Sequence, residues 1–397
     1  MFNLLKGVRV LDLTSVLMGP YATQILGDYG ADVIKVEAPG GDVTRQIGPG
    51  RHDGMGPVFL HANRNKRSIG LDLKSEGGRA AFLKLVETAD ILVYNLRPQA
   101  MERLGLGYEA VRAVNPRIIY AGLFGFGQDG PYAAKAAYDD LIQGASTLSA
   151  LMASSGSDRP RYVPSAIADR IVGLYAVGGI LAAFHRRQVT DLGTRIDFPM
   201  FETMVSFTLG DHMGGLTFSP PLDGGGYARQ LSPYRRPYRT SDGYVCALIY
   251  NDKQWNAFAR ALDREKEFSD DPRRTNIVTR LKHIDALYEE LEVEFAKRTT
   301  REWMDLLDRH DIPVMPMHDL TTIFSDEHLK AVGFFCDVDH PSEGRVRMLR
   351  SPVSCDDGDD ADLPSPRYGE HGREILREAG FDGEAIEQLI SDGAVKD

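Results

Sequence analysis

GVRVLDLTSVLMGPYATQILGDYGADVIKVE, residues 7–37, is the stretch that decides the fold. Residues 8–13 are largely apolar and predict a buried strand, and VIKVE at 33–37 predicts a second one. Between them a Gly-Pro pair opens a helical pattern that runs to Gly30, with the proline placed in a first turn. The stretch therefore predicts the strand–helix alternation of an α/β protein.

Working outward, the same alternation continues to about residue 126 and predicts a mostly parallel sheet with helices on both faces. Helical patterns then dominate to about residue 218, and the Gly- and Pro-rich segment 220–237 predicts a boundary. We expect an α/β fold with a large domain and a smaller α+β domain. The expected bounds are 1–220 for the large domain, 326–397 for its completing C-terminal segment, and 225–325 for the small domain.

The small domain is predicted from its own run of elements. A strand is expected within 242–251 and helices at 252–262 and 277–297. Thr299 and Glu302 have the spacing of a capping box, which predicts the start of a further helix.

The composition restricts the class of protein. The chain has 397 residues, is 43% hydrophobic and carries a formal net charge of −11. This acidic balance argues against general binding to nucleic acids or to an anionic membrane. A small anion could still be held, because a few cations and backbone N–H groups suffice.

The cysteines and apolar segments predict a cytoplasmic protein. Cys246, Cys336 and Cys355 lie far apart and form no disulfide framework or zinc motif. The N-terminus is too short and polar for a signal peptide, and the apolar run 171–184 is too short to span a bilayer. We therefore expect no membrane partner.

Two familiar motifs carry little weight. GFGQDG at 125–130 fits the dinucleotide-binding glycine pattern, but Pro131 follows it and no acidic residue stands where the ribose would need one. A sharp turn after a strand is the better interpretation. The histidines show no metal-binding spacing, so no metal site is expected.

Residues 61–74, HANRNKRSIGLDLK, form a basic patch in an acidic protein. Its cations are Arg64, Lys66, Arg67 and Lys74. Each alone favours a solvated charged face. Together they favour an anion site at the strand ends of an open sheet.

Asp169 follows small apolar residues and precedes the Gly- and Ala-rich run 171–184. Aspartate is a preferred helix N-cap, contributing about 1 kcal/mol, and spacing alone favours that role. A carboxylate there also meets the positive end of the helix dipole and spare N–H donors, which could hold an oxyanion. With an ordinary pKa near ~3.9 it would be almost fully ionised at pH 7 and would need no general base to act as a nucleophile. Gly173, Gly178 and Gly179 are expected to let this helix pack closely.

Several segments, spread in order along nearly the whole chain, together form a recognisable pattern. They are residues 7–45, NRNKRSIGLDLK (63–74), YNLRPQAMERLGLGYE (94–109), GFGQDGPYAAKAAYDD (125–140), IADRIVGLYAVGGILAAF (167–184), DGYVCALIYNDKQW (242–255) and YGEHGREIL (368–376). In this order they resemble the class III CoA-transferases of the CaiB/BaiF family. The resemblance implies a Rossmann-like large domain, a small domain and an interlocked homodimer. It also implies transfer of CoA between carboxylic acids, with acyl-CoA as a substrate and no permanently bound cofactor or metal.

The resemblance also implies site residues. Asp169 matches the family's nucleophilic aspartate, and Gly225 and Gly226 match a glycine-rich loop that would act in catalysis as a lid. From the residues alone, a flexible link between domains is equally compatible with that loop. The positions that match CoA contacts are Val16, Leu17, Met18, Leu71, Lys74, Tyr94, Asn95, Arg97, Arg103, Lys135, Ala137, Tyr138 and Met200.

Departures from the family pattern bear on the substrate. The formyl-CoA:oxalate branch typically has Gln where Leu17 stands and Arg where Ala38 stands, so succinyl-CoA with another dicarboxylate is the better expectation. Candidate acceptor-binding arginines are Arg45, Arg51, Arg235 and Arg236, and the sequence does not select among them.

Two other functions stay open. A 2-methylacyl-CoA racemase of the same superfamily uses a His-Asp pair, whereas this chain has Tyr138-Asp139, and tyrosine is a poor base at pH 7. A CoA-binding protein without catalysis is disfavoured by the retained Asp169.

Overall fold

The computed structural model describes residues 1–356 and 362–396 and contains α-helices and β-strands in alternation. The strands are β1 (Arg9–Leu13), β2 (Asp32–Glu37), β3 (Lys66–Leu71), β4 (Ile91–Tyr94), β5 (Ile119–Phe124), β6 (Thr194–Pro199), β7 (Tyr238–Arg239), β8 (Tyr244–Ala247), β9 (Val314–Pro316), β10 (Phe335–His340), β11 (Gly344–Leu349) and β12 (Val395–Lys396). The helices are α1 (Met18–Asp28), α2 (Pro57–Ala62), α3 (Glu76–Val86), α4 (Pro98–Arg103), α5 (Tyr108–Val114), α6 (Asp139–Ala145), α7 (Leu148–Ser154), α8 (Ile167–Thr190), α9 (Met200–His212), α10 (Ala228–Leu231), α11 (Asp252–Ala261), α12 (Glu265–Asp270), α13 (Ile277–Lys282), α14 (Ile284–Phe295), α15 (Thr300–Arg309), α16 (Glu327–Ala331), α17 (Gly372–Glu378) and α18 (Gly383–Ser391).

The chain divides by its internal contacts into two units, which we call the large unit and the small unit. The large unit comprises Met1–Ser146, Pro164–Val205 and His328–Asp397, and the small unit comprises Thr147–Val163 and Ser206–Glu327. These units group residues 147–163 and 206–220 with the small unit, whereas the sequence pattern placed them in the large domain. That the chain folds as two independent domains with the bounds given above remains a prediction.

The large unit is built on a seven-stranded sheet of order β12-β3-β2-β1-β4-β5-β6. Its neighbouring strands pair in parallel, except that β12 runs antiparallel to β3. Strands β4 and β5, which lie inside the sheet, are buried along their whole length, as expected when helices cover both faces of a parallel sheet. The mostly parallel α/β fold is therefore confirmed.

The strand order reverses direction between β1 and β4. From β1 the chain adds β2 and β3 on one side, and it then returns to add β4, β5 and β6 on the other. In open α/β sheets, ligands bind in the crevice outside the carboxyl ends of the strands at such a reversal. The fold therefore points to the residues that follow β1 and β4.

Helices dominate the region to residue 218 as predicted, but the sequence analysis missed β6, the edge strand, whose half-exposed alternating pattern gives only a weak signal. One element prediction was wrong. The single helix expected at 277–297 is two helices, because α13 ends and α14 begins at His283. The capping box of Thr299 and Glu302 is confirmed at the start of α15.

Helix α8 is longer than the apolar run within it. By length and composition it could cross a membrane, which the run 171–184 alone did not indicate. However, it packs against α1 and β6, and Val172, Ala176 and Ile180 on its inner face are buried. A Cβ at Gly173 would lie 2.9 Å from the carbonyl oxygen of Met18, so glycine allows the close approach to α1. Helix α8 is thus a partly buried core helix.

The small unit has a three-stranded antiparallel sheet, β7-β8-β9, and an aromatic core. The rings of Tyr238 and Phe295 stack at 4.4 Å, and that of Trp303 lies 4.5 Å from Phe295. Trp255 and Phe258 are buried in the same cluster. This core gives the small unit an apolar interior of its own.

Candidate active site

A cleft of about 270 Å³ lies in the large unit where the sheet order reverses. Its walls come from the segments after β1, β4 and β5, from the start of α6, and from the first turns of α8 and α9. The lining residues are Ser15, Val16, Met18, Asn95, Leu96, Arg97, Pro98, Leu123, Phe124, Gly125, Gln128, Ala133, Lys135, Ala136, Ala137, Tyr138, Asp139, Asp169 and Met200.

The loop after β1 is fixed to the loop after β4. The Ser15 N–H donates to Asn95 Oδ1 at 3.1 Å, and Asn95 Nδ2 donates back to the Ser15 carbonyl at 2.8 Å. Val16 has a φ of 71°, a left-handed conformation that is strained for a β-branched residue. The Val16 N–H donates to Oδ1 of the buried Asp42 at 3.3 Å, and this hydrogen bond holds the strained residue in place.

Asp169 lies in the first turn of α8, but it is not the N-cap. The N-cap is Ala166, which provides no side-chain cap, and Asp169 is the third helical residue. Its N–H donates to Oδ1 of Asp139 at 3.0 Å. The predicted capping role was therefore wrong, because a carboxylate from α6 takes the free N–H. Within the described residues, the Asp169 carboxylate has no hydrogen-bond partner and lines the cleft.

The ionisation of Asp169 also differs from the sequence expectation. Burial and the neighbouring Asp139 carboxylate raise the pKa of Asp169 to about 7, against the opposing charge of Arg170. A group with that pKa is roughly half ionised at pH 7 instead of fully ionised. The free site therefore holds its nucleophile candidate in both protonation states near neutrality.

Two cations line the same cleft. Arg97 immediately precedes α4, and Lys135 lies in the loop before α6, with its ammonium 3.8 Å from the centre of the Tyr132 ring. Neither forms a salt bridge with any part of the chain that the structure describes. They are thus available to an anionic ligand in this wall of the cleft.

A model described as CoA-transferase family III matches residues 5–372. The chain belongs to CoA-transferase family III. This family III CoA-transferase is 34% identical over 398 residues to succinyl-CoA:glutarate CoA-transferase of Mus musculus, covering 99% of this chain and 90% of the relative. It is 34% identical over 378 residues to acetyl-CoA:oxalate CoA-transferase of Acetobacter aceti, covering 94% and 95%. A solved CAIB/BAIF family protein from Brucella suis aligns with a TM-score of 0.78 at 33% identity, over 96% of this chain and 100% of that one.

Membership confirms the predicted enzyme class. The protein is a transferase that takes acyl-CoA as a substrate, as the resemblance implied. Within residues 1–356 and 362–396 no group of His, Cys, Asp and Glu side chains could hold a metal ion.

The cleft brings together only part of the predicted CoA-binding set of the transferase. Leu17, Leu71 and Tyr94 are buried in the large unit, while Lys74 and Arg103 are exposed at other positions. Burial raises the pKa of Tyr94 to about 12. The predicted residues that do line the cleft are Val16, Met18, Asn95, Arg97, Lys135, Ala137, Tyr138 and Met200.

Three cations of the basic patch at 61–74 form ion pairs within the protein. Lys66 is fully buried and its ammonium lies 2.9 Å from Asp12, while Arg64 pairs with Asp28 at 2.5 Å. Arg67 pairs with Asp32 at 2.7 Å. The anion-site hypothesis is wrong for these three cations, because acidic residues distant in sequence already neutralise them.

Arg45 is likewise unsuited to bind the acceptor acid of the transferase. It is buried, and its guanidinium pairs with Glu37 at 2.7 and 2.8 Å and stacks on Phe59 at 3.6 Å. Arg236 pairs with Glu292 in the small unit. Neither guanidinium is left unpaired for a second carboxylate.

The glycine-rich loop belongs to the small unit. Gly225 and Gly226 have φ values of 76° and 92°, which favour glycine. Asp223 Oδ1 accepts the N–H groups of Gly215 and Gly225 at 2.7 and 2.8 Å. The loop is therefore an ordered turn within its unit.

Sequence reasoning did not assign a role to the pair Asp139 and Gln143. Gln143 Nε2 donates to Asp139 Oδ2 at 2.6 Å. Their separation of four residues on one helix is the signal that could have found the pair. The contact between Asp139 and Asp169 joins residues thirty positions apart, so no local sequence spacing indicates it.

Proposed function

We propose that the enzyme transfers CoA from an acyl-CoA donor to a carboxylic acid acceptor through covalent intermediates on Asp169. The observation that carries this proposal is the cleft at the strand-order reversal. Asp169 lines it with a carboxylate that has no hydrogen-bond partner among the described residues, together with two cations and most of the residues that resemble CoA contacts.

The first half of the reaction loads CoA onto the enzyme. A carboxylate oxygen of Asp169 attacks the thioester carbonyl carbon of the donor, the C–S bond breaks, and CoA leaves as a thiolate. The product is a mixed anhydride between Asp169 and the donor acyl group. The thiolate then attacks the Asp169 carbonyl carbon, which releases the donor acid and leaves an aspartyl-CoA thioester.

The second half reverses these steps with the acceptor. The acceptor carboxylate attacks the aspartyl thioester, displaces the CoA thiolate and forms a second anhydride. The thiolate attacks the acceptor acyl carbon, which gives the new acyl-CoA and restores the Asp169 carboxylate. Water competes with the thiolate for both kinds of intermediate. A lid formed by the loop of Gly225 and Gly226 would limit that competition.

The residues on the cleft wall suit the parts of CoA. Arg97 and Lys135, which form no salt bridge with the described residues, offer positive charges to phosphate groups. Met18 and Met200 offer flexible apolar side chains to the pantetheine arm near Asp169. We assign CoA binding to this wall.

For the substrates we propose succinyl-CoA as donor and a dicarboxylate as acceptor. The mouse relative is a succinyl-CoA:glutarate CoA-transferase by name, and it covers nearly the whole chain. Leu17 and Ala38 stand where the oxalate branch typically has Gln and Arg, which supports a longer acid over oxalate.

We further propose a cytoplasmic interlocked homodimer. Leu174 and Tyr175 on the outer face of α8 are each 54% exposed, and an apolar patch of this kind suits a subunit interface. Cys246 and Cys336 carry free thiols, which suits a reducing compartment.

The test follows oxygen from the acceptor to Asp169. With an acceptor acid labelled with ¹⁸O in both carboxylate oxygens, the bridging oxygen of the second anhydride remains on the enzyme. After a single turnover, the peptide that contains Asp169 should gain the mass of one ¹⁸O for ¹⁶O substitution. Asp169→Asn should lose exchange activity by about 10³-fold or more, the scale of removing a covalent nucleophile.

Asp140→Asn is the matched control, because Asp140 is an exposed aspartate whose substitution makes the same change in charge. It should keep both the label and the activity. Label on another carboxylate, or epimerisation of a 2-methylacyl-CoA without any acceptor acid, would contradict the proposal.

A further inference from the structure

Helix α8 starts without a cap from its own segment. The first N–H groups of a helix have no partner within the helix, and they must bond elsewhere. The N-cap Ala166 has no side-chain acceptor, and Ile167 N–H bonds to the Ser165 carbonyl at 2.7 Å. The N–H of Asp169, the proposed nucleophile, is satisfied only by Asp139 among the described residues.

Asp139 is itself locked in place. Gln143 is fully buried, and its Nε2 donates to Asp139 Oδ2 at 2.6 Å and to the Ser165 carbonyl at 3.3 Å. The amide of Gln143 thereby joins α6 to the residues just before α8. The Asp139 carboxylate has one oxygen toward Gln143 and the other toward the backbone of Asp169.

We propose that Asp139, held by Gln143, is a positioning residue that caps α8 in place of Asp169 and so leaves the Asp169 carboxylate free to attack the thioester. An aspartate in a first turn that capped its own helix would spend its oxygens on backbone N–H groups. Here the carboxylate of Asp139 accepts the backbone N–H instead. This inference rests on the proposed role of Asp169 as nucleophile.

The same arrangement places two carboxylates side by side. Asp139 faces Asp169 from α6, and Arg170 is next to it on α8, while Lys135, Arg97 and Tyr138 line the surrounding wall. The guanidinium of Arg170 lies over the ring of Tyr21 on α1, 4.3 Å from the ring centre. The negative charge of Asp139 should therefore disfavour ionisation of Asp169, and removal of that charge should be visible in the pH dependence.

The test compares three variants with wild type in single-turnover formation of the Asp169 adduct. Asp139→Asn keeps an acceptor for the Asp169 N–H but loses the charge. It should keep most of the rate, with the acid limb of the pH–rate profile moved to lower pH. Asp139→Ala removes the side-chain acceptor for the Asp169 N–H, and Gln143→Leu removes the amide that holds the Asp139 carboxylate. Both should lower the rate roughly 10- to 100-fold at unchanged KM for acyl-CoA, because small misplacements of a reacting group cost that much.

Asp140→Asn is again the control and should move neither rate nor pH profile. The inference is overturned if Asp139→Ala and Gln143→Leu react at the wild-type rate, or if the profile of Asp139→Asn coincides with wild type. Should the alanine variant fail to fold, the profile of Asp139→Asn decides. Absence of an Asp169 adduct in wild type would instead contradict the proposed function, so the two failures are distinguishable.

Discussion

The carboxylate of Asp169 lies at the positive end of a helix, a position that ordinarily favours the ionised form. Its pKa is nevertheless raised to about 7, because burial and the charge of Asp139 outweigh Arg170. The residue therefore combines a higher basicity than a free aspartate with a carboxylate that accepts no hydrogen bond from the part of the chain that the structure describes.

This ionisation predicts the pH dependence of the enzyme. In the proposed mechanism only the carboxylate form of Asp169 attacks, so kcat/KM for acyl-CoA should rise with pH, with a midpoint near the raised pKa of about 7, and level off above it. Initial rates across a pH series would show this limb. A flat profile from pH 5 to 9 would contradict it.

The same pKa predicts a change in stability. The folded state holds the proton of Asp169 up to about pH 7, whereas the unfolded chain releases it near its ordinary value of 3.8. The unfolding free energy should therefore fall as pH rises through this window. Asp169→Asn, which removes the titration, should be more stable than wild type above pH 7, and the difference should vanish near pH 4. Urea unfolding at several pH values measures it, with Asp140→Asn as the control.

At the residue scale, the sequence identified Asp169 as a candidate nucleophile but gave no information about the groups that surround it. Asp169 could be singled out from its neighbours and from the family resemblance. Its cap could not, because Asp139 is thirty positions away and comes into contact only through the fold. The raised pKa depends on that same contact and on burial.

At the scale of elements, the end of β1 rests on buried ion pairs. Asp12 on β1 is fully buried and accepts from Lys66 on β3 at 2.9 Å and from Thr23 on α1 at 2.7 Å. Although burial alone would raise it, Lys66 and Lys35 hold the pKa of Asp12 at about 2. Lys35 on β2 continues the network to Asp42. These contacts join three strands directly beneath the loop that lines the cleft.

Asp12→Ala tests how much this network contributes. Removing one partner would leave the buried ammonium of Lys66 without its counter-charge, which typically costs about 3–5 kcal/mol. We expect a loss of that size in the unfolding free energy, measured by urea denaturation with far-UV circular dichroism. Lys84→Ala breaks the exposed Lys84–Glu87 pair and should leave stability nearly unchanged. Equal effects of the two variants would contradict this account.

The network also explains why the basic run at 61–74 was misinterpreted. Local sequence shows four cations around one acid, but the partners of Lys66 and Arg64 are 54 and 36 residues away. Periodicity located most strands and helices because burial repeats along the chain. It missed β6, since an edge strand buries less of its surface.

At the scale of the whole molecule, both ends of the chain build the large unit. Ile375, Leu376 and Val395 belong to the same apolar core as Leu11 and Ile34. Strand β12 adds an antiparallel edge to β3. The pattern of the last seventy residues indicated a return to the large unit, but only the fold shows which strand they join.

Deleting residues 372–397 should therefore unfold the large unit. The truncation removes α17, α18 and β12 and would expose apolar side chains of β3 such as Ile69 and Leu71, which are now buried. Limited proteolysis and far-UV circular dichroism should show loss of protected structure. Lys396→Ala, at an exposed position, should behave as wild type. A truncated chain that melts at the wild-type temperature would contradict the prediction.

The aromatic core of the small unit has a consequence for optical measurements. The chain contains two tryptophans, Trp255 and Trp303, and both lie in that core. Tryptophan emission is therefore a local reporter of the small unit, and it does not respond directly to melting of the large unit, which contains Asp169. A fluorescence-based melting curve would record the small unit and leave unobserved the unit that contains the proposed nucleophile.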